Sequence, residues 1–161
     1  INSDGNDNTA TLNQIGLNGD VRISQDGNRN RALPFEQLGE TNSLRITQVG
    51  NDNLADQAQF GDDNTSRVLQ DGNRNRVEIA DQSGNNGLFR ITQDGNDNFI
   101  NGTQLGESNS LISLQDGNSN VITFAQEGST NLTNITQDGL AHSANTFQAG
   151  SNNVINLTQT N

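Results

Sequence analysis

Cysteine is absent from this chain, which excludes disulfides and thiolate-bound metals. Tryptophan, tyrosine and methionine are absent as well, and aromatic residues make up only 4% of the sequence, all of them Phe. A core built on large side chains is therefore out of reach. Hydrophobic residues of every kind reach 29%, a level that ordinarily predicts disorder. No apolar run approaches the roughly 20 residues that span a bilayer, which argues against membrane insertion. Lysine is missing too: 19 acids stand against 8 Arg, for a net charge of −11. Such a chain is poorly suited to nucleic acid, whose affinity rests on basic contacts to phosphate. The chain starts at Ile1 rather than Met, and is read as one from which a leader has been removed.

Amides are what the chain has in excess. There are 28 Asn and 15 Gln, together 43 of 161 residues. Their spacing decides whether they form a floppy polar tract or an ordered lattice. The tripeptide Gln-x-Gly begins at Gln14, Gln25, Gln37, Gln48, Gln59, Gln70, Gln82, Gln93, Gln104, Gln115, Gln126, Gln137 and Gln148, and Gln159 continues the series. Eleven of the thirteen intervals are 11 residues and two are 12; only Gln57 stands outside. The glycines are Gly16, Gly27, Gly39, Gly50, Gly61, Gly72, Gly84, Gly95, Gly106, Gly117, Gly128, Gly139 and Gly150. Three residues after a Gly comes Asn, at Asn8, Asn30, Asn42, Asn53, Asn64, Asn75, Asn98, Asn109, Asn120, Asn131 and Asn153, with Gly19, Gly87 and His142 as exceptions. A fixed period of this kind marks a repeat architecture.

Within each unit the side chains alternate. At four and two residues before each Gln, 21 of 28 positions are apolar, Val21, Ile23, Leu33 and Phe35 among them; at three and one before, 7 of 28 are. Alternation predicts a strand with Asn, both apolar residues and Gln on one face, and Gly-x-x as the turn. Asp follows the Gln in alternate units, at Asp26, Asp71, Asp94, Asp116 and Asp138. The structural unit is therefore a strand–turn–strand coil of about 22 residues. QDGNRNR occurs at both Gln25 and Gln70, a shift of 45 residues that suggests duplication of two-coil blocks.

The expected fold is all-β: a β-solenoid of seven coils in two stacked parallel sheets of amyloid-like cross-β character. Residues 1–7 are a lead-in and 8–161 a single solenoid, with coils at 8–25, 30–48, 53–70, 75–93, 98–115, 120–137 and 142–159. Coils about 4.8 Å apart turn each repeated position into a column. The Gln and Asn columns are expected to be amide ladders, each side chain donating to one neighbour and accepting from the other. The two long intervals are expected to hold bulges, near Arg31 and Ala32 and near Ala80 and Asp81. Neither end shows a capping element, so each is expected to template another copy.

The repeat Gln-x-Gly-x-x-Asn, recurring from Asn8 to Gln159, resembles that of curlin, the amyloid subunit of bacterial curli fibres. The resemblance implies an extracellular fibre of the biofilm matrix at the bacterial surface. Its partners would be further copies of itself, a nucleator subunit and a secretion pore. A nucleator is expected to end in a degenerate, basic repeat, whereas all eight Arg here lie between Arg22 and Arg90, which points to the major subunit. Tyr, common in curlins, is absent, and strands that often start with Ser start mostly with Asn.

No catalytic constellation is present. His142, the one histidine, stands in the register of a ladder Asn, and the carboxylates sit on turns where nothing prepares them for acid–base work. No cofactor is expected. A cation such as calcium could bind between the Asp column and an Asn-rich turn, as at Asp94-Gly95-Asn96-Asp97-Asn98, although the spacing matches neither an EF-hand nor the nine-residue period of calcium β-rolls; solvated turn residues are the plainer reading. Arg22, Arg45, Arg67 and Arg90 should form an outward column, either a stripe for acidic partners or a solvated face. The rival function is a monomeric β-solenoid binding module of adhesin or ice-binding type, which the irregular outer faces disfavour.

Overall fold

A computed structural model describes residues 1–161, apart from the side chains of Pro34, Phe35 and Ala80. In chain order the strands are β1 (Asn2–Asp4), β2 (Thr9–Ala10), β3 (Gln14–Ile15), β4 (Asp20–Asn28), β5 (Arg31–Leu38), β6 (Ser43–Asn51), β7 (Leu54–Phe60) and β8 (Thr65–Asn73). They continue as β9 (Arg76–Ser83), β10 (Leu88–Asn96), β11 (Phe99–Leu105), β12 (Ser110–Asn118), β13 (Val121–Ser129), β14 (Leu132–Leu140), β15 (Ser143–Ser151) and β16 (Val154–Thr160). Apart from β2 and β3, which lie on the same sheet, consecutive strands fall in opposite sheets. One sheet runs β1-β4-β6-β8-β10-β12-β14-β16 and the other β15-β13-β11-β9-β7-β5-β2, with β3 also on β5. Every pairing is parallel and joins like residues about one coil apart, as in Gln93↔Gln115 and Gly95↔Gly117. The fold is the expected two-sheet solenoid of about seven turns.

Alternation directs the packing. On the first sheet Ile23, Leu44, Ile46, Val68, Phe89, Ile91, Leu111 and Ile135 point inward; from the second come Ala32, Ala55, Val77, Ile79, Ile100, Ile122, Phe124 and Ala144. Phe89 and Phe124 meet edge to face across this thin core, with centroids 5.7 Å apart. Gly102 makes room for the second ring: a Cβ there would lie 2.5 Å from Phe124 Cδ1. At two of the places where the apolar pattern lapses, a hydroxyl pairs with an amide, Thr133 with Gln148 and Ser66 with Gln57. Ser66 Oγ donates to Gln57 Oε1 at 2.8 Å, which gives the one Gln outside the series an inward role.

One bulge is displaced from its expected place. The register skips between Pro34 and Gln37, not at Arg31 and Ala32. Ala32, 0% exposed, keeps the inward phase begun at Asn30, and Leu33 is turned outward and half-buried. The inward reading of Phe35 lies outside the described side chains. The second skip falls between Ile79 and Asp81, opposite Gly102 and Thr103, as the broken alternation suggests; the side chain of Ala80 is outside the description. The first bulge has a cost on its other side. The rung facing it is split into β2 and β3, because an unbroken strand cannot match both the bulged register and Pro34, which offers no N–H. The lead-in contributes β1, a partial rung whose Asn2–Asp4 pair with Ser24–Asp26.

Candidate functional site

The repeated amides form two different devices. Gln25, Gln48, Gln70, Gln93, Gln115, Gln137 and Gln159 make one column, each Nε2 donating to the next Oε1 at 2.8–2.9 Å. Gln37, Gln59, Gln82, Gln104, Gln126 and Gln148 make the second, at 2.8–3.2 Å. These columns are buried, and each amide supplies the partner its neighbour would otherwise lack. Gln14 is the exception: its backbone pairs with Gln37, but its exposed side chain makes no ladder bond. It swings over Gly19, where a Cβ would lie 1.7 Å from its Nε2. That space exists because Gly19 replaces the expected Asn.

The Asn columns are not amide-to-amide ladders, contrary to the reading from sequence. Each inward Asn works on backbone. Asn53 Oδ1 accepts the Asn75 N–H at 3.0 Å, while its Nδ2 donates to Val49 O at 3.1 Å and to Gly72 O of the next coil at 2.9 Å. The same pattern recurs at Asn8, Asn30, Asn42, Asn64, Asn75, Asn98, Asn109, Asn120 and Asn131, each of which accepts an N–H or donates to a Gly carbonyl one coil on. Asn153 donates to its own turn only, at Ala149 O. The short Asn side chain reaches its own turn but not the next amide, and the neighbouring Gly carbonyl lies closer. His142 keeps half of this role, with its N–H on Asn120 Oδ1 and its Nε2 3.0 Å from Asp138 O. Gly87 has no oxygen to offer the coil beyond.

A true Asn ladder does exist, one residue after Gly at the outer turn. Asn28 Nδ2 donates to Asn51 Oδ1, Asn51 to Asn73, Asn73 to Asn96 and Asn96 to Asn118, at 2.9–3.0 Å. The recurring Gly-Asn in alternate units was its signal. Each following residue has a left-handed backbone, as at Arg29 (φ 55) and Asp52 (φ 59). Along that edge Asp7, Arg29, Asp52, Arg74 and Asp97 alternate in sign. Arg29 grips Asp52 through both nitrogens at 2.7 Å, and Arg74 grips Asp97 at 2.6–2.7 Å. This alternation is the physical content of the two-coil duplication.

Those donated bonds hold the Asp52 and Asp97 carboxyls below the usual carboxylate range. On the outer face of the second sheet, burial and then Glu78 push Asp56 up instead. A depressed carboxyl stabilises above the unfolded value near pH 3.9, and that stability is lost as pH falls through the folded value; a raised one behaves in the opposite sense. Carbon-13 carboxyl titration should place Asp52 and Asp97 below, and Asp56 above, an ordinary aspartate. Arg29→Ser should return Asp52 toward the ordinary range and leave Asp56 in place. A common midpoint for all three would contradict this geometry.

The turn glycines set how closely coils approach. A Cβ on Gly72 (φ +116) would stand 1.9 Å from Gly95 O, and one on Gly128 (φ +108) 2.0 Å from Gly150 O. Gly150 keeps φ +96, yet the nearest atom to its Cβ direction is Asn153 Nδ2 at 3.6 Å. Its backbone has the form that admits a further coil. β15 and β16 likewise have no partner on their outer edges, where Phe147 and Val154 are 63% and 60% exposed. At the opposite end Gln25 Oε1 and Gln37 Oε1 are buried without a partner.

A family model described as the curlin-associated repeat matches residues 39–72, 50–80 and 61–95. That stretch of the solenoid is built of curlin-associated repeats. No curated protein matches the chain. The overlapping matches run from Gly39 through Gly95. The curlin-associated repeat and the two-sheet solenoid support a curli-like structural subunit. Among the described residues, no three acidic or histidine side chains converge as metal ligands would. The Asp column stands in register instead, as in Asp71↔Asp94↔Asp116.

Proposed function

We propose that this chain is the self-assembling subunit of an extracellular amyloid fibre at the bacterial surface, serving matrix cohesion and adhesion in a biofilm. Copies add to one another at the solenoid ends. The turn glycines carry the reading: each interior coil admits the next through a bare Cα, and the same contact can join one copy to another. The open edges of β15 and β16 repeat the inward pattern of the rungs below them, so a second copy can continue both sheets. The curlin-associated repeat supports a nucleator subunit and a secretion pore as further partners. The reading requires no cofactor and no nucleic acid.

Purified chain left at neutral pH should assemble after a lag, with rising thioflavin T fluorescence and unbranched fibres in electron micrographs. Aligned fibres should diffract with a meridional reflection near about 4.8 Å. A persistent monomer would overturn the proposal in favour of a solenoid that acts alone as a binding module.

A further inference from the structure

Two vertical columns of arginine exist on this molecule, and they are treated differently. At the turn edge, Arg29 and Arg74 alternate with Asp and are gripped by it. On the outer face of the first sheet, Arg22, Arg45, Arg67 and Arg90 stack directly on one another in register. All four are exposed. Arg22 meets Asp20 at 3.2 Å; among the described residues, Arg45, Arg67 and Arg90 have no ion-pair partner. Their same-face neighbours along each strand are Ser43 and Thr47, Thr65 and Leu69, Leu88 and Thr92. Besides Asp20, the acids of these four strands on this face, Asp26, Asp71 and Asp94, lie four residues beyond the arginine of their strand, about 13 Å away. The sheet therefore holds four like charges about 4.8 Å apart with little internal compensation, on a chain of net charge −11.

We propose that this stripe is a docking surface for a carboxylated polysaccharide laid along the coil axis. Guanidinium forks match carboxylates in pairs, and a polymer bearing one carboxylate per sugar offers them at short, regular intervals. The hydroxyls of Ser43, Thr47, Thr65 and Thr92 flank the stripe and suit sugar hydroxyls. Nucleic acid fits less well. The face has no aromatic side chain on which bases could stack, and the Asp column beside it repels a dense phosphate backbone. The stripe belongs to a single chain, so it stands whether or not copies stack.

The test uses the unassembled chain on a polygalacturonate-coated surface, with dextran and single-stranded DNA as the other probes. Polygalacturonate should retain the chain in a salt-sensitive manner, and dextran should not. The variant R45S/R67S/R90S should bind about tenfold more weakly, as loss of three exposed ion pairs implies, while R29S/R74S should bind as the parent does. The triple variant should melt no lower than the parent, since it removes mutual repulsion. If it fails to fold, Arg67→Ser alone should still weaken binding by about twofold. Equal retention of parent and variant, no retention of the parent, or tighter capture on DNA would each overturn the proposal.

Discussion

Gly72→Ala will abolish the folded solenoid, whereas Gly150→Ala will leave the chain folded and stop it from elongating fibres. The two glycines occupy like turns in the two columns, one after a first-sheet strand and one after a second-sheet strand, and they differ in what stands above them. At Gly72 the new methyl would lie 1.9 Å from Gly95 O, a backbone atom fixed by the next rung. No side-chain motion relieves that contact, so two coils must separate and their shared hydrogen bonds go with them. We expect a loss above about 4 kcal/mol in urea unfolding of the unassembled chain. At Gly150 the methyl meets nothing closer than 3.6 Å, and only the left-handed backbone is strained, by about 1–2 kcal/mol. In a stack, however, that methyl would point at the next copy's turn carbonyl, as Gly128 points at Gly150 O. Seeded elongation should slow more than about tenfold. Elongation at the parental rate would show that copies do not meet through this end.

The second large effect is expected inside the amide column. Gln93 accepts from Gln70 at 2.9 Å and donates to Gln115 at 2.9 Å and to Arg76 O at 3.1 Å. It is 0% exposed. Gln93→Leu fills the same volume but leaves the Gln70 donor and the Gln115 and Arg76 acceptors without their Gln93 partner. At about 1–3 kcal/mol for each group left unpaired, the loss should reach about 3–5 kcal/mol. Gln159→Leu, at the open end, frees the exposed Ser143 O and one bond of Gln137 Nε2, which keeps its bond to Val121 O, and should cost less, about 1–2 kcal/mol. Urea midpoints of the two variants give the comparison. Equal losses would mean that the column contributes bulk and not hydrogen bonds.

Most of the architecture could be read from the chain because each rung repeats one local rule, so an error at one position is outvoted by a dozen others. Gln, with its longer stem, reaches the next amide, and the ladder expected of it is the one observed. Asn was harder to read, since spacing shows which residues align but not which partner a short side chain meets first; at Asn53 that partner is Gly72 O. The bulge before Gln37 was misplaced because Leu33 and Phe35 look like an inward pair, while Ala32 looks too small to matter. The phase is instead carried forward from Asn30, and the small Ala32 suits a position facing larger residues of the first sheet. The pairing of Arg29 with Asp52 escaped notice because the partners are 23 residues apart and become neighbours only once the coil pitch is known. Gln14 departs from its series for a reason visible only in three dimensions, the empty space over Gly19.

The Gln columns have a direction. In both, the lower-numbered residue always donates and the higher-numbered one always accepts, so the amide dipoles add instead of cancelling. One face of the molecule ends in bare oxygens, at Gln25 and Gln37; the other ends in the N–H groups of Gln148 and Gln159. A filament that continues these columns carries a net moment along its axis, as a long helix does. Its tips are electrically unlike, and they should differ in how fast they capture an incoming subunit.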